Sequence, residues 1–393
     1  MKKHYVASLL VLVVSLALAA AGCGGDNGEE GAATTGGATE TGGGQAASCT
    51  GSIAVMGPFT GDAASIGQEQ LNFVKFAVER FNEDNGSDYK LEEYDTQLDP
   101  AQASTGAQRI VSNNDIIAVV GPAGSQEVEA VGPIFTRENV TFISPSATRT
   151  DLTTSGKYPT FFRDVPNDDA QGPTDAEFVT GTLNAKNIWV IDDQTSYSTG
   201  LADSFTKAAE DAGAKVDRES INQKQNDFSS LVSRVKDADV VFLPWQLGTQ
   251  AQTFGQQLAE QGSDAVIVGS DGLFTEDFSI KGSYVSSFAP DVKSIDSSAD
   301  LVKAYEDEYG KFSSTFGPPA YAATDALLTA VNQACQDAGG TPARADIADA
   351  MHNVDIQQSI LGGPLRFDEN GDPEGAKFYL FKVTGKGQYE LQS

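Results

Sequence analysis

The sequence predicts an α/β protein with two doubly wound lobes, each built on a parallel sheet covered by helices. Short runs rich in Val, Ile and Phe alternate with longer segments whose apolar residues recur at helical spacing. This alternation runs once over 52–143 and again over 188–268, which is typical of parallel sheets. At 393 residues, the chain is also too long for one compact core.

The first series predicts four strands and three helices. The strands are expected at 52–57, 91–94, 116–120 and 141–143. The intervening helices are expected to carry Leu71, Val74, Val78 and Phe81, to span 100–111, and to carry Val128, Val131, Ile134 and Phe135.

The second series predicts four further strands and three helices. The strands are expected at 188–192, 215–221, 240–243 and 265–268, and the helices at 199–211, at 228–235 and through Gln261. After 288–290 the pattern changes to long helices and then to three closing strands. These helices are expected at 297–309, 320–338 and 347–351, and the strands at 364–367, 376–383 and 389–391.

The N-terminus predicts export and a lipid anchor. Lys2 and Lys3 precede an apolar run over 6–21 that is too short for a convincing membrane span, so residues 1–22 are interpreted as a signal peptide. The run ends in small residues before Cys23 and resembles the bacterial lipoprotein signal, in which that Cys receives the lipid. The alternative is an ordinary signal peptide with a chance Cys. Residues 24–48 contain no aromatic residue and no Val, Ile or Leu, so 23–48 is expected to be the anchored Cys and a disordered linker.

The remaining two cysteines predict a disulfide. Outside the cytosol disulfides persist, and once Cys23 is assigned to lipid the pair left is Cys49 and Cys335. Two separate buried thiols are the alternative.

Composition argues against nucleic-acid binding and against catalysis. The 55 acidic and 26 basic side chains give a net charge of −29, whereas a phosphate backbone requires clustered Lys and Arg. Without the predicted signal peptide, His352 is the single histidine, and no nucleophile and base can be paired with it. No Cys/His cluster has zinc spacing, and no phosphate-binding glycine loop follows a strand. We therefore expect neither a cofactor nor a metal.

Two loops after predicted strands carry polar residues suited to binding. The strand ending at Val120 leads through Gly121-Pro-Ala-Gly124 to Ser125 and a helix, whose free backbone N–H groups favour an anion. The strand ending at Ile143 leads into a loop with Ser146 and Thr148. Ligands of open α/β sheets bind beyond such strand ends, so the loops together predict a carboxylate site. The alternative is that Ser125 and Thr148 are only helix caps, with Thr148 in a capping box with Asp151.

A series of short motifs follows in order along residues 50–390. They are Ile53-Ala-Val-Met-Gly-Pro-Phe-Thr-Gly61, Val119-Val-Gly-Pro-Ala-Gly-Ser125, Ile143-Ser-Pro-Ser-Ala-Thr148, Gln171-Gly-Pro173, Asp192-Asp-Gln-Thr-Ser-Tyr197, Gly200-Leu-Ala202, Asp227-Phe-Ser229, Gly269-Ser-Asp271-Gly272 and Gly362-Gly-Pro364. In this order they resemble the branched-chain amino-acid-binding proteins of ABC importers. The resemblance implies the type I periplasmic-binding-protein fold, with two lobes joined by three crossover segments. Lobe 1 would comprise 50–166 plus 291–365, and lobe 2 would comprise 167–290 plus 366–393.

The resemblance also implies roles for individual residues. Ser125 matches the serine that binds the ligand α-carboxylate, and Ser146 and Thr148 match the second carboxylate loop. Tyr197 matches an aromatic residue that covers the ligand, and Asp271 matches the acid that pairs with the α-ammonium, although the family more often has Glu there. Without the resemblance, Asp271 would be interpreted as a solvated turn residue and Tyr197 as a loop or packing aromatic.

The pocket for the ligand side chain is expected at four positions. Ile66 falls where the family often has an aromatic residue, and Phe316 falls at an apolar wall. The segment Pro244-Trp-Gln-Leu247 replaces the usual Gly-Gly-Tyr, so the register leaves either Trp245 or Leu247 facing the ligand. Core packing is the alternative for Ile66, Trp245 and Phe316.

The resemblance implies an extracytoplasmic, lipid-anchored binding protein, monomeric and without catalytic activity. It would capture an amino acid, a branched-chain one being favoured, and deliver it to an ABC permease. A ligand-sensing receptor of the same fold is one alternative, and transport of an amide, a urea or an aromatic acid is another.

Overall fold

The computed structural model describes residues 49–392. The predicted signal peptide, Cys23 and the linker lie outside the described residues. No helix within 49–392 is both long enough and apolar enough to cross a membrane. The described chain forms two β-sheets, which confirms the predicted two-lobed α/β architecture.

The first sheet has five parallel strands in the order β2-β1-β3-β4-β5. These strands are β1 (Thr50–Gly57), β2 (Asp88–Asp95), β3 (Ile116–Val120), β4 (Thr141–Ser144) and β5 (Phe161–Arg163). Its early helices are α1 (Ala64–Asn85), α2 (Pro100–Ser112), α3 (Ser125–Arg137) and the short α4 (Asp151–Thr154). At the start of α2 the Asp99 side chain accepts hydrogen bonds from two backbone N–H groups, and Pro100 has no N–H group that would need a partner.

The second sheet has seven strands in the order β12-β11-β10-β9-β8-β6-β7. Its strands are β6 (Asn187–Asp192), β7 (Lys215–Ser220), β8 (Val240–Leu243), β9 (Val266–Gly269), β10 (Tyr284–Ser287), β11 (Tyr379–Gly385) and β12 (Gln388–Leu391). Its helices are α5 (Asp168–Glu177), which continues as a π-helical turn (Phe178–Thr182), α6 (Ser196–Asp211), α7 (Ser229–Val235) and α8 (Gly248–Glu260). Strands β6 to β10 are parallel, whereas the C-terminal hairpin β11–β12 joins the edge at β10 in antiparallel fashion.

Each sheet is covered on both faces. In the first lobe, α1 packs on one face and α2 and α3 pack on the other. In the second lobe, α7 and α8 pack opposite α5 and α6. The remaining long helices, α9 (Ala299–Tyr309), α10 (Gly317–Ala338) and α11 (Arg344–Met351), return to the face of the first sheet that α1 covers. Short 3-10 turns lie at Asp271–Leu273, Val292–Ser294 and Asp296–Ser298.

The chain therefore passes between the lobes three times. We call these segments crossing 1 (164–167, between β5 and α5), crossing 2 (288–291, after β10) and crossing 3 (352–378, between α11 and β11). The strand predicted at 364–367 is wrong, because Leu365 and Phe367 make only isolated backbone pairings with Ile356 and Pro373. Pro364 has no N–H group to donate, which disfavours a regular strand there.

The predicted Cys49–Cys335 bond is present in the structure, with the two Cα atoms 5.9 Å apart. It ties the residue before β1 to the last turns of α10. Both sulfur atoms belong to the core between the first sheet and its long helices.

Candidate functional site

The loop after β3 brings Ser125 to the edge of the first sheet. Gly121 makes this loop possible, because its φ of +103° suits only glycine and an added Cβ would lie 2.1 Å from the Met56 carbonyl oxygen. Ser125 is the first residue of α3, is 1% exposed, and its hydroxyl accepts a hydrogen bond from the Arg149 backbone N–H at 3.3 Å. The free N–H groups at the start of α3 lie beside it, so a carboxylate would be favoured here.

The loop after β4 carries Ser146 and Thr148 next to Ser125. The Ser146 hydroxyl accepts from Gln70 Nε2 at 2.8 Å and donates to the Ala123 carbonyl at 2.9 Å, so it ties the two loops together. The Thr148 hydroxyl is fully buried and has no hydrogen-bond partner within residues 49–392. The helix-cap alternative is wrong for Ser125 and Thr148, since the residues that precede α3 and α4 are Gly124 and Thr150.

The second lobe supplies Tyr197, at the start of α6, and Asp271, just after β9. Both side chains are buried, and the Tyr197 hydroxyl lies 2.7 Å from Asp271 Oδ1 and 2.6 Å from Ser270 Oγ. Gln171 Nε2 donates to the same Asp271 oxygen at 2.7 Å. Burial raises the pKa of Asp271 to about 6, and the hydrogen bonds from Tyr197 and Gln171 oppose that rise. Asp271 is therefore a fixed acceptor and not a solvated turn residue.

A further acid, Asp168, was missed by the sequence interpretation. It opens α5, is 2% exposed, and its backbone N–H donates to the Thr148 carbonyl at 2.9 Å. Both carboxylate oxygens are without a hydrogen-bond partner in the described part of the chain. Burial and the negative charge of the nearby Asp271 raise the pKa of Asp168 to about 7. The nearby Thr148 hydroxyl lowers this pKa, although its position does not meet the geometry of a full hydrogen bond. The available signal was its place just before the Gln171-Gly-Pro173 motif.

Two further hydrogen bonds, both donated by side chains of the first lobe, join the lobes beside these groups. Gln126, next to Ser125, donates through Nε2 to Gln246 Oε1 at 2.8 Å, and both side chains are buried. Arg149, next to Thr148, donates through Nη1 to the Ser196 carbonyl at 2.7 Å. The loops after β3 and β4 of the first lobe therefore face Tyr197 and Asp271 of the second lobe across a closed contact.

The four residues expected to line a side-chain pocket lie in three places. Ile66 and Phe316 share a buried apolar cluster with Val165, Phe288 and Phe378, which come from the three crossings. Trp245 packs in the core of the second lobe against Phe228 and Phe254, and its indole N–H donates to the Ile191 carbonyl at 2.6 Å. Leu247 is half-buried at the start of α8. The structure corrects the expectation for Trp245, because the carbonyl at the end of β6 holds its ring inside the lobe.

A cavity of about 870 Å³ lies along α5 and α6 and reaches Asp168 and Arg149. Ser125, Tyr197 and Asp271 do not line it, so it adjoins the polar cluster rather than containing it. Within residues 49–392, no group of three or more His, Cys, Asp or Glu side chains is arranged to hold a metal ion.

Comparison with known proteins gives concordant matches. A family model described as "Periplasmic binding protein" matches residues 50–388. The leucine-, isoleucine-, valine-, threonine- and alanine-binding protein of Pseudomonas aeruginosa is 29% identical, over 84% of this chain and 89% of that protein. A Leu/Ile/Val-binding protein homolog of Brucella abortus is 28% identical, over 84% and 90% of the two chains.

Solved structures match the fold. A leucine-binding protein from Thermotoga maritima superposes with a TM-score of 0.78 at 22% identity, covering 87% of this chain and 97% of that one. The branched-chain amino acid transporter substrate-binding protein LivJ from Streptococcus pneumoniae, solved with isoleucine, gives 0.77 at 23%, covering 87% and 99%. A solute-binding protein from Rhodopseudomonas palustris, solved with 3,4-dihydroxybenzoic acid, gives 0.73 at 20%, covering 85% and 93%.

Proposed function

The chain belongs to the periplasmic binding protein family, and on that premise we propose that it captures an amino acid between its lobes for an ABC importer. The observation that carries this proposal is the meeting of buried polar groups from both lobes. The Thr148 hydroxyl and the Asp168 carboxylate have no hydrogen-bond partner within residues 49–392, although buried polar groups are normally paired. A zwitterionic ligand would supply both the missing anion and the missing cation.

The first lobe would bind the α-carboxylate. The backbone N–H groups at the start of α3 and the Ser125 and Thr148 hydroxyls all favour an anion. Ser146 would act less directly, because its hydroxyl already joins Gln70 to the Ala123 carbonyl.

The second lobe would bind the α-ammonium. Asp271 offers a carboxylate held by Tyr197 and Gln171, and Asp168 lies close enough for the charge on Asp271 to raise its pKa. The shorter side chain of Asp, compared with the usual Glu, would be compensated by this second acid. A ligand that contacts both lobes prefers the closed arrangement, and this preference couples capture to closure.

The cargo that we favour is a branched-chain amino acid. Leucine, isoleucine and valine are named for relatives that match over most of this chain, and Ile66 and Phe316 provide buried apolar surface. We extend the proposal to a monomer anchored through Cys23, with lobe limits at 50–166 plus 291–365 and 167–290 plus 366–393. Radiolabelled palmitate incorporation that Cys23→Ala abolishes would test the anchor.

The decisive variant is Asp271→Asn, which removes the charge but keeps the shape of the side chain. We expect it to weaken leucine binding by about 2 to 5 kcal/mol, because the ammonium would lose its buried partner. Isothermal titration calorimetry of purified protein measures the change. The matched control is Asp169→Asn, an exposed acid next to Asp168, which should bind as the wild type does. Unchanged binding by Asp271→Asn would refute the assignment of the ammonium site.

A second cargo class is an aromatic acid, which the neighbour solved with 3,4-dihydroxybenzoic acid favours. Such a ligand would use the carboxylate loops of the first lobe but would leave Asp271 without an ammonium. A thermal-shift screen separates the two classes, since a ligand at a hundredfold excess over its Kd stabilises by about 2.7 kcal/mol. Stabilisation by 3,4-dihydroxybenzoate that Asp271→Asn leaves intact, with none by amino acids, would support the second class.

A further inference from the structure

Glu127 is a buried acid in the first turn of α3, two residues after Ser125. Its Oε2 accepts a hydrogen bond from the Gly124 backbone N–H at 2.8 Å, as the glutamate of a capping box does. This contact satisfies Gly124, whereas the next two N–H groups, those of Ser125 and Gln126, have no backbone acceptor within residues 49–392. Glu127 therefore shapes the loop end at which a ligand carboxylate would find these free N–H groups.

Gly124 is packed between two side chains. A Cβ added to it would lie 3.0 Å from Glu127 Oε2 and 2.8 Å from Leu98 Cδ1. Leu98 belongs to the short loop between β2 and α2 and has a φ of +60°, which is uncommon for a residue other than glycine. The place of the Gly124 N–H thus depends on Leu98 on one side and on Glu127, which accepts its hydrogen bond, on the other.

The charged groups that face Glu127 are two further acids. They are Asp95, at the end of β2, and Asp99, just before α2. Burial, together with these two negative charges, raises the pKa of Glu127 to about 7, and the hydrogen bond from Gly124 opposes the rise. Glu127 therefore gains its negative charge as the pH passes through the neutral range.

The basic residues nearby are engaged elsewhere. Arg149, on the loop after β4, is paired with Glu129 at 3.2 Å, and Arg109 of α2 lies over the Tyr94 ring at 5.4 Å. The second lobe meets this end of α3 through the neutral Gln246. An ionised Glu127 would therefore act on a ligand carboxylate without a compensating ion pair among the described residues.

We propose that Glu127 is a positioning residue for the carboxylate site, whose side chain fixes the loop before α3 and whose negative charge opposes the ligand carboxylate. The inference rests on the proposed function and deepens it. It applies to both cargo classes, because an amino acid and an aromatic acid would each bring a carboxylate to this loop. Like charges near one helix start repel each other, so binding should be tighter while Glu127 is neutral.

The test compares Glu127→Gln with Glu127→Leu, and the probes are leucine and 3,4-dihydroxybenzoate. Glutamine keeps an oxygen that can accept from Gly124 but carries no charge, whereas leucine removes the acceptor. We expect Glu127→Gln to bind about threefold more tightly than the wild type at pH 8.5, with a smaller difference at pH 5.5. Glu127→Leu should bind about tenfold more weakly than Glu127→Gln at both pH values, as calorimetry would measure.

The control is Glu138→Gln, which removes a negative charge at the exposed far end of α3 and should follow the wild type at both pH values. If the affinity of Glu127→Gln relative to the wild type were the same at pH 5.5 and pH 8.5, the charge of Glu127 would have no role. If Glu127→Gln and Glu127→Leu bound equally well, the positioning role would be refuted.

Hydrogen exchange of the ligand-free protein separates this inference from the proposed function. The Gly124 amide should exchange about tenfold faster in Glu127→Leu than in Glu127→Gln, because its acceptor is lost. Equal exchange would refute the positioning role even if the wild type binds leucine. Failure of the wild type to bind either probe would instead refute the proposed function, while the exchange rates would still decide whether Glu127 fixes the loop.

Discussion

At the scale of single residues, the candidate site is unusual in its buried carboxyl groups. Desolvation raises the pKa of Asp168 to about 7 and that of Asp271 to about 6. Burial also raises the pKa of Asp175, and the Ser286 hydroxyl donates to its Oδ2 at 3.1 Å. Asp168 and Asp271 therefore lie close to their charge transition at neutral pH, and a bound ammonium would favour their ionised forms.

This arrangement predicts opposite pH dependences for ligand binding and for stability. An ammonium needs ionised partners, so leucine affinity should rise as the pH increases from about 5 to about 7 and then level off. The ligand-free protein should lose stability as the pH rises from about 4 to about 7. A carboxyl group whose pKa is raised in the folded state makes its full contribution to stability at pH values below its unfolded pKa of about 4. This contribution is lost as the pH rises through the folded pKa. Calorimetry and urea unfolding at each pH measure the two trends.

The double variant Asp168→Asn/Asp271→Asn provides the control. It removes these two titrating groups and should make the stability trend across this window less steep, while other buried acids such as Glu127 keep part of it. A wild-type leucine affinity that stays constant from pH 5 to 7 would contradict the placement of the ammonium between these acids.

At the scale of elements, a buried arginine connects crossing 1 to the loop after β4. Arg163, at the end of β5, is fully buried and donates to the carbonyls of Ala147 and Arg149 at 3.1 and 2.7 Å. Its Nε donates to Asp372 of crossing 3 at 2.5 Å, and Asp372 also accepts from Asn167 at 3.2 Å. This network holds the backbone around Thr148 against two crossings.

Asp372→Ala should therefore destabilise the fold by about 3 kcal/mol, since it leaves the Arg163 guanidinium buried without its charge partner. Leucine affinity should also fall, because the loop after β4 would lose its fixed position. The matched control is Asp307→Ala, which removes an exposed acid paired with Lys303 on α9 and should cost less than about 0.5 kcal/mol. Urea unfolding gives both values, and equal small losses would show that the network contributes nothing.

Most elements could be predicted from hydrophobic periodicity, and the failures have physical causes. Strand β3 was predicted at its observed limits because Ile116–Val120 is an unbroken apolar run buried on both faces. Helix α5 was missed because its polar residues Asp168, Gln171 and Asp175 face the interior, which hides the usual amphipathic pattern. Strand β10 was missed because its final serines are buried without being apolar.

The positions of the site residues could be predicted from the loops that follow strands. The direction in which each side chain points could not be predicted as well. Ser125 follows the short loop after β3, Asp271 lies two residues after β9, and the structure buries both. Trp245 also follows a strand, but the Ile191 carbonyl and two phenylalanines of the second lobe hold its ring in the core. No periodicity in the sequence distinguishes these directions, because they depend on contacts between distant segments.

At the scale of the whole molecule, the disulfide joins the start of the described fold to its longest C-terminal helix. Cys49 and Cys335 are separated by 286 positions. Replacing both with Ser should cost on the order of 4 to 5 kcal/mol on the chain-entropy model, because a large loop is released in the unfolded state. Urea unfolding of the double variant, compared with reduced and oxidised wild type, measures the loss. If oxidised and reduced wild type were equally stable, the bond would have no such role.

The lobes are joined near the site by side chains that need not contact the ligand, which allows closure to be tested separately from binding chemistry. Gln126 and Gln246 are both buried, and their hydrogen bond of 2.8 Å exists only while the lobes are in contact.

Gln246→Ala would therefore weaken the closed form and leave the loops after β3 and β4 and Asp271 in place. We expect leucine affinity to fall about tenfold, or about 1.4 kcal/mol, because the net value of a buried hydrogen bond is of that order. Small-angle X-ray scattering should show a larger fraction of open molecules at the same leucine concentration, whereas Gln333→Ala, at an exposed position on α10, should change neither quantity. Since a ligand shifts closure only through its different affinities for the two forms, saturating leucine should restore the closed scattering profile of Gln246→Ala, and failure to do so would show that the contact is not part of the closing equilibrium.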